Sequence, residues 1–546
     1  MVKKYYSIVI ILLFSFLSGY ALLHDGLPPT HDGEYHVIRF FQFDKMLHAG
    51  SIYPRWAPDL NNGYGVPLFN FVYPLPNYVA SFLYLVGISF IDSFKLSLFI
   101  ATVIGAVGMY FWSKTFWGEK GGIVSSVFYS FAPYRFVDTY IRGSIGEVWA
   151  LALFPCFLWA ITEYFKTRTY RYFFLSVLFL SLVIFSHNIL AVMFFCFAVV
   201  YALMLFFYQK QPVTMLLKSL VILLSGLLVS SVFWLPALVE KQYVVGLQIY
   251  EIGKNFPELY QLLIPSWGSG FSEGNLQNQM SYQLGVANIF VIFLSIVLLF
   301  KYKKKKNREA YIIFVCLLVL FITIFLMLRY SLPLWNALPL LQYFQFPWRL
   351  LSLVIVISSF LAGWVAISFW KEKFMPYILV FLVVILGIGY ARPDHYLYRN
   401  DSYYTTRSNF IDGTNSPGNL FNTKWLSVVP KKMQERAAFS SGSVEIKKTS
   451  VIDYTFTTRG EKNGVLHVYL AYFPGWIGSI DNKQVALENE KGILAIKVPK
   501  GEHTIHVQFT DTIIRSIGKY MTIISFFLLV LPLLFNNKQG KATQKS

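Results

Sequence analysis

The chain is poor in charge, in acid and in cysteine. Only 14% of its 546 residues are charged, whereas about a quarter of an ordinary soluble domain is. A soluble globular protein is therefore excluded. The three cysteines, Cys156, Cys196 and Cys316, lie far apart inside apolar stretches. That placement excludes a disulfide framework or a zinc ribbon and suits small membrane-buried residues. Acidic residues number 28 against 47 basic ones, a formal charge of +19. Such a surplus can signal nucleic acid, but no basic face here is interleaved with base-stacking aromatics. Soluble catalytic motifs are also missing: there is no phosphate-binding Gly-Lys loop, no Rossmann fingerprint and no HExxH. The GSG around Ser269 lacks the strand and helix that frame a nucleophile elbow.

What is present is hydrophobic sequence, 55% of the residues, with a mean hydropathy of +0.51. The basic residues fall in short runs between apolar segments, as in KTRTYRY (166–172) and KYKKKKNR (301–308). Cytoplasmic loops carry charge in this way. A helical span needs about 20 apolar residues, and segments near that length occur at 5–23, 95–112, 121–132, 147–164, 172–187, 189–208, 214–235, 282–300, 310–328, 350–370, 375–390 and 516–535. The first follows Lys3 and Lys4 like a signal peptide, but Ser18, Gly19 and Ala21 make a weak cleavage site, so it reads as an uncleaved span.

The expectation is a polytopic α-helical membrane protein of about 12 spans. Placing the loops at 3–4, 166–171, 209–211, 301–308 and 371–373 and the tail KQGKATQK in the cytoplasm orients every span and puts both termini inside. Residues 72–91 are apolar enough to span as well, yet a crossing there would turn every later basic loop outward. They are therefore expected to lie in, or dip into, the outer leaflet, unless a neighbouring span is misassigned. Segments 24–94, 133–147, 236–281, 329–349 and 391–513 then share the extracytoplasmic face.

Four places along the chain carry polar chemistry. THDGEYHVIRF (30–40) sets Asp32 and Glu34 among His31, His36 and Arg39, ahead of a run whose Val37, Ile38, Phe40, Phe41, Met46 and Leu47 suit a helix lying flat at the interface. Asp32 would start that helix, although most loop carboxylates are merely solvated. APYRFVDTYIRGSIGEVWA (132–150) offers Arg135, Asp138, Tyr140, Arg142 and Glu147; arginine there is either a bidentate phosphate clamp or a snorkelling side chain in a solvated loop. His187 and Asn188 interrupt apolar sequence, where polar residues are costly unless functional or placed in a tight turn. LLQYFQFPWRLL brings Gln345, Trp348 and Arg349, a site or an aromatic belt with its anchor. Glu240 is a further outward carboxylate without an evident role.

From residue 391 the pattern changes. Ile505, Val507 and Phe509 alternate with polar residues, and turns are signalled at Asp481-Asn482, Glu490-Lys491-Gly492 and Pro499-Lys500-Gly501. Such alternation predicts a small antiparallel β-sandwich. The expected domains are residues 1–390 in the membrane with the outer loop 24–94, an extracytoplasmic β-sandwich over 391–513, and a last span with a cytoplasmic tail over 514–546. The β-sandwich either packs over the outer face or recognises an acceptor.

THDGEYH, YPRWAPDLNNGYGVPLFNFVYPLP, APYRFVDTYIRGSIGE, FSHN and FQFPWR together resemble a bacterial family of polytopic proteins catalogued as 6-pyruvoyl-tetrahydropterin synthase-related. YFPGW (472–476) and VPKGEHTIHV (498–507) resemble the extracytoplasmic end of YfhO-type membrane proteins. The zinc triad of the soluble pterin enzyme has no counterpart here. Both groups are similar to the GT-C superfamily of glycosyltransferases, which implies a polyprenyl-phosphate-linked sugar donor and an essential acid in the first outer loop, here Asp32. No separate DxD occurs, so a metal is left open; oxygen ligands would favour Mg²⁺ or Mn²⁺.

On this resemblance Asp32, with Glu34, is the catalytic candidate, and Arg142, Arg349 and Arg135 would hold the donor phosphate. His36, Arg39, Asp138, Glu147, His187, Asn188 and Gln345 would support them. The acceptor would be a cell-envelope glycan or glycolipid met among membrane lipids. Two readings compete: a lipid-linked-glycan transporter, disfavoured because no internal repeat is visible, and a non-catalytic envelope-assembly scaffold in which Asp32 is dispensable.

Overall fold

The computed structural model describes residues 2–246, 252–272, 278–302, 308–369, 374–406 and 419–542. Most of the basic loop 301–308, residues 371–373 and the end of the tail lie outside these residues.

Every one of the expected spans falls on an apolar helix, but not all are long enough to cross. Among the described residues seven helices have the length and composition for crossing, or eight if the pair Val213–Val229 and Ser231–Tyr243, bent by 70°, counts as one span. Three more apolar helices, Tyr170–Ser186, Val286–Lys301 and Met375–Tyr390, are shorter. Within 72–91 only Leu75–Leu85 is helical, 11 residues, about 17 Å long and so too short to cross about 30 Å of hydrocarbon.

The stretch Phe90–Ser130 is helical over 41 residues apart from Gly118, at φ 67° and ψ −169°. There the chain reverses. The Ser126 hydroxyl donates to the Ala106 carbonyl at 2.7 Å, as two antiparallel arms require, and Lys114 pairs with Glu119 at 2.6 Å across the tip. A side chain would strain that left-handed backbone, so glycine makes the hairpin. The second arm has only about 12 residues, roughly 18 Å. The chain beyond this arm does not emerge into solvent: every residue from Phe131 to Leu158 is buried. This overturns the solvated-loop reading of 133–147; the short arm leaves its continuation enclosed by neighbouring helices.

The C-terminal domain is a pair of antiparallel sheets. β1 (Ala437–Phe439), β4 (Gly464–Ala471), β8 (Ile493–Val498) and β7 (Glu488–Glu490) form one in that order. The other runs β2 (Gly442–Thr449), β3 (Asp453–Gly460), β9 (Gly501–Phe509), β5 (Trp476–Ile480) and β6 (Lys483–Val485). Alternating residues fill the space between them, including Phe456, Leu466, Val468, Leu494, Ile496, Ile505 and Val507, all buried. Asp481 and Asn482 both have positive φ, the turn chemistry of a tight hairpin.

Residues 391–406 and 419–436 precede the first strand and lie along the helical bundle. Leu27 and Leu397 form an antiparallel bridge, and the Asp401 carboxylate accepts from the backbone N–H of Phe90 and Ile91 at 2.8 and 3.2 Å, capping that helix. Where the β domain rejoins the bundle, Arg515 is buried against Glu240 at 2.9 Å and donates to the carbonyls of Pro474 and Thr510. Glu240 also accepts from Asn70 at 2.7 Å and Thr512 at 2.6 Å. The FPGW turn and Glu240 thus form the joint between the two parts.

Candidate functional site

At the end of the bundle that carries the β domain, residues of the five outer segments meet. Thr30–Gly33 and Ile141–Gly143 run together: His31 N–H donates to the Ile141 carbonyl and Asp32 N–H to the Arg142 carbonyl, both at 2.9 Å. The approach requires Gly143, at φ +64°, because a Cβ there would sit 2.1 Å from the Thr30 hydroxyl. Asp32 precedes the helix Gly33–His48, with no capping bond from its side chain. Asp32 is half-buried.

Around Asp32 stand groups from three further segments. Tyr73 has Arg39, Asp32 and Glu147 for charged neighbours. Its ring lies 5.2 Å from that of His187 and 6.3 Å from that of His36. Burial, and then the neighbouring Arg39, His187 and Arg142, hold the His36 imidazole well below the ordinary range. His31 is lowered chiefly by burial; it bonds the Ser269 carbonyl at 2.8 Å and stacks on Phe271 at 4.4 Å.

Next to this group lies a buried ion cluster. Arg142 clamps Glu147 with two bonds, at 2.6 and 2.7 Å, and also donates to Asp138. Arg349 Nε reaches the same Glu147 at 2.9 Å, Tyr134 donates to it at 3.2 Å, and His187 Nε2 lies 3.9 Å away. Gln345 and the Phe344 carbonyl take Arg349 Nη1, at 2.6 and 3.1 Å. The Arg142 guanidinium covers Trp348 at 4.7 Å, a cation–π contact strengthened by desolvation. Among the described residues Nη2 of Arg349 has no protein partner. Asp138 stands in a π-helical turn, Val137–Arg142, between the spanning helices and within neither. Burial, then the Glu147 charge, pushes its carboxyl up, so Asp138 is the carboxylate that protonates first.

The structure brings Asp32, His36, Arg39, Arg142, Glu147, His187 and Arg349 into one region. It buries Arg349, which overturns the belt-and-anchor reading of FQFPWR. Asn188 supports the arrangement by donating to the Phe71 carbonyl at 2.8 Å, which secures the loop that carries Tyr73. Arg135 points elsewhere, over the Tyr129 ring at 4.8 Å. Glu34 is held by Arg399 and by the Tyr404 hydroxyl at 3.0 Å. Sequence reasoning missed Tyr73, Tyr134, Arg399 and Tyr404. The two tyrosines nearest the cluster are lost among many interfacial aromatics, and Arg399 lies 365 positions from its partner, beyond any local pattern.

No group of three or more His, Cys, Asp or Glu among the described residues is placed to hold a metal ion. Mg²⁺ is commonly held by one or two carboxylates together with waters and substrate phosphates, and Asp32 is the carboxylate here that no arginine among the described residues engages. Glu34 and Glu147 are spent on arginine and tyrosine.

A family model described as 6-pyruvoyl-tetrahydropterin synthase related domain, a membrane protein, matches residues 69–396. An uncharacterized protein of Lactococcus lactis subsp. cremoris is 21% identical over 327 residues, 58% of this chain and 53% of that protein. The chain thus spans about half the length of this curated relative. Among solved structures, ArnT of Cupriavidus metallidurans bound to undecaprenyl phosphate is similar with a TM-score of 0.40 and 11% identity, over 67% of this chain and 60% of that one. The oligosaccharyltransferase of Archaeoglobus fulgidus tethered to an acceptor peptide has a TM-score of 0.40 and 13% identity, over 74% and 57%.

Proposed function

This chain belongs to the 6-pyruvoyl-tetrahydropterin synthase related family of membrane proteins, and on that premise we propose that it is a GT-C type glycosyltransferase. It moves a sugar from a polyprenyl-phosphate donor to a hydroxyl of an envelope glycan or glycolipid on the extracytoplasmic side. The observation that carries the reading is the pairing of Asp32 N–H with the Arg142 carbonyl at 2.9 Å. It sets a half-buried carboxylate beside a buried cationic cluster.

The chemistry divides between them. Asp32 takes the proton of the acceptor hydroxyl as its oxygen bonds to the anomeric carbon. The bond from that carbon to the phosphate oxygen breaks, and the lipid phosphate leaves with the electron pair. Since the leaving phosphate needs no proton, the remaining demand is for positive charge preorganised where negative charge develops. Arg349, through Nη2, and Arg142 supply it, held in place by Glu147 and Gln345. Tyr73, His36 and Arg39 enclose Asp32, and His187 completes the wall.

The test follows transfer of labelled sugar from polyprenyl-phosphate sugars to envelope material in membranes, comparing wild type with Asp32→Asn. Asn keeps the shape and removes the base, so transfer should fall by about 10²- to 10⁴-fold at equal protein level. Unchanged transfer would remove Asp32 as the base. No transfer by either protein with any donor would favour the scaffold reading.

A further inference from the structure

The motif DLNNGYG (59–65) has no part in the transfer chemistry, yet it is built with care. Asn61, Asn62, Gly63 and Gly65 all have positive φ. Asp59 is held by Gln42 at 3.0 Å and Lys45 at 2.8 Å, Asn61 by Asn422 at 3.0 Å and Asn62 by the Pro430 carbonyl at 2.8 Å. The Tyr64 carbonyl accepts from Ala471 N–H at 2.8 Å, and the Gly63 carbonyl accepts from Arg436. Between this rigid turn and the edge strands β1 and β2 lies a cleft of about 590 Å³. That volume is within the usual range of ligand sites.

The lining chooses the ligand. Tyr64, buried, and Tyr469, half-buried, pack edge to face with ring centroids 6.0 Å apart and planes at 61°, so Tyr469 is the aromatic ring the cleft can offer a ligand. Asn62, Gln434, Glu435 and Glu445 add hydrogen-bonding groups. A lipid chain would leave those groups unpaired. A polyanion would meet Glu435, and Glu445 already paired with Lys447 at 2.5 Å, while Arg436, the cation in the lining, is spent on the Gly63 and Tyr469 carbonyls. Sugar rings, with apolar faces and hydroxyl rims, fit both kinds of wall. The cleft also stands apart from the site. Gln42, which holds the turn, lies ten residues along the helix from Asp32, about 15 Å.

We infer that this cleft binds an uncharged oligosaccharide segment of the acceptor, remote from the hydroxyl that reacts. This rests on the transferase reading and narrows it: the acceptor is a glycan chain longer than one sugar, held by the β domain and the DLNNGYG turn together.

The experiment uses the full chain in nanodiscs, titrated with hexasaccharides of N-acetylglucosamine, glucose and rhamnose and followed by saturation-transfer NMR and calorimetry. At least one should bind, and Tyr469→Ala should weaken it about tenfold. Glu445→Gln, an exposed change on an edge strand, should weaken it severalfold without threatening the fold. Asp32→Asn should bind as tightly as wild type. Lack of binding by all three at millimolar concentration, or equal binding by both cleft variants and wild type, would overturn the assignment. So would occupation of the β2 edge by an extended peptide that no glycan displaces. Glycan bound in the cleft of a protein without transfer activity would sink the transferase reading alone. Asp32-dependent transfer with an empty cleft would sink this one alone.

Discussion

Glu147→Gln is the sharpest perturbation of the buried cluster. The carboxylate is fully buried, and its two oxygens accept from Arg142 twice, from Arg349 and from Tyr134. Glutamine keeps the volume but turns one acceptor into a donor and removes the charge that both guanidinium groups face. Removing one partner of a buried pair costs about 3–5 kcal/mol because the other charge is left uncompensated. Here two such charges remain, with only Asp138 to answer them. The unfolded population should rise by about 10²- to 10⁴-fold. Pulse proteolysis of the detergent-solubilised protein across a urea series reads that shift. Adding Arg142→Gln removes one stranded charge, so the double variant should be more stable than the sum of single losses predicts, by more than about 1 kcal/mol of coupling. A loss below about 1 kcal/mol for Glu147→Gln, or strict additivity in the cycle, would refute the account of the cluster as one electrostatic unit.

Gly143→Ala should pry the two loop segments apart, since its Cβ would meet the Thr30 hydroxyl at 2.1 Å in a left-handed backbone. A cost of about 1–3 kcal/mol is expected, with faster hydrogen exchange at the His31 and Asp32 amides; unchanged exchange would contradict the pairing. On the β domain, the hydrogen bond that His503 Nδ1 donates to Asp481 raises the His503 pKa above 6.5, and the same bond lowers Asp481 below 3.8. The histidine contribution to stability is therefore complete below 6.5 and lost as pH rises through the folded value, while the aspartate contribution is lost as pH falls below 3.8. An NMR titration of His503 with a midpoint at or below 6.5 would refute the pairing. Ser51→Cys, just past the helix Gly33–His48, should react in intact cells with a membrane-impermeant thiol reagent; reaction only after permeabilisation would sink the proposed outward orientation.

Hydropathy and charge made the helices legible because lipid allows few alternatives: backbone groups must be satisfied within each span. The sandwich was legible for a similar reason. Ile505, Val507 and Phe509 alternate, and all three are buried. The positive-inside rule grouped five segments on one face, and bonds such as His31 to Ser269, Asp32 to Arg142, Glu34 to Arg399 and Arg349 to Glu147 do draw them together. Asp32, Arg142, Glu147 and Arg349 could each be nominated as polar residues at the edge of apolar sequence. Their partners could not.

What the sequence by itself determined is therefore which segments are apolar helices and which a water-facing sandwich, and the local period each solvent imposes. Tertiary structure alone decided that residues 133–147 are enclosed, that Arg142 and Arg349 share one carboxylate, that Glu34 is tied to Arg399, and that Glu240 joins the β domain to the bundle through Arg515. Ion pairs and buried hydrogen bonds act over a few ångströms of space regardless of chain separation, here 202, 365 and 275 positions. No pattern of neighbours along the chain encodes them.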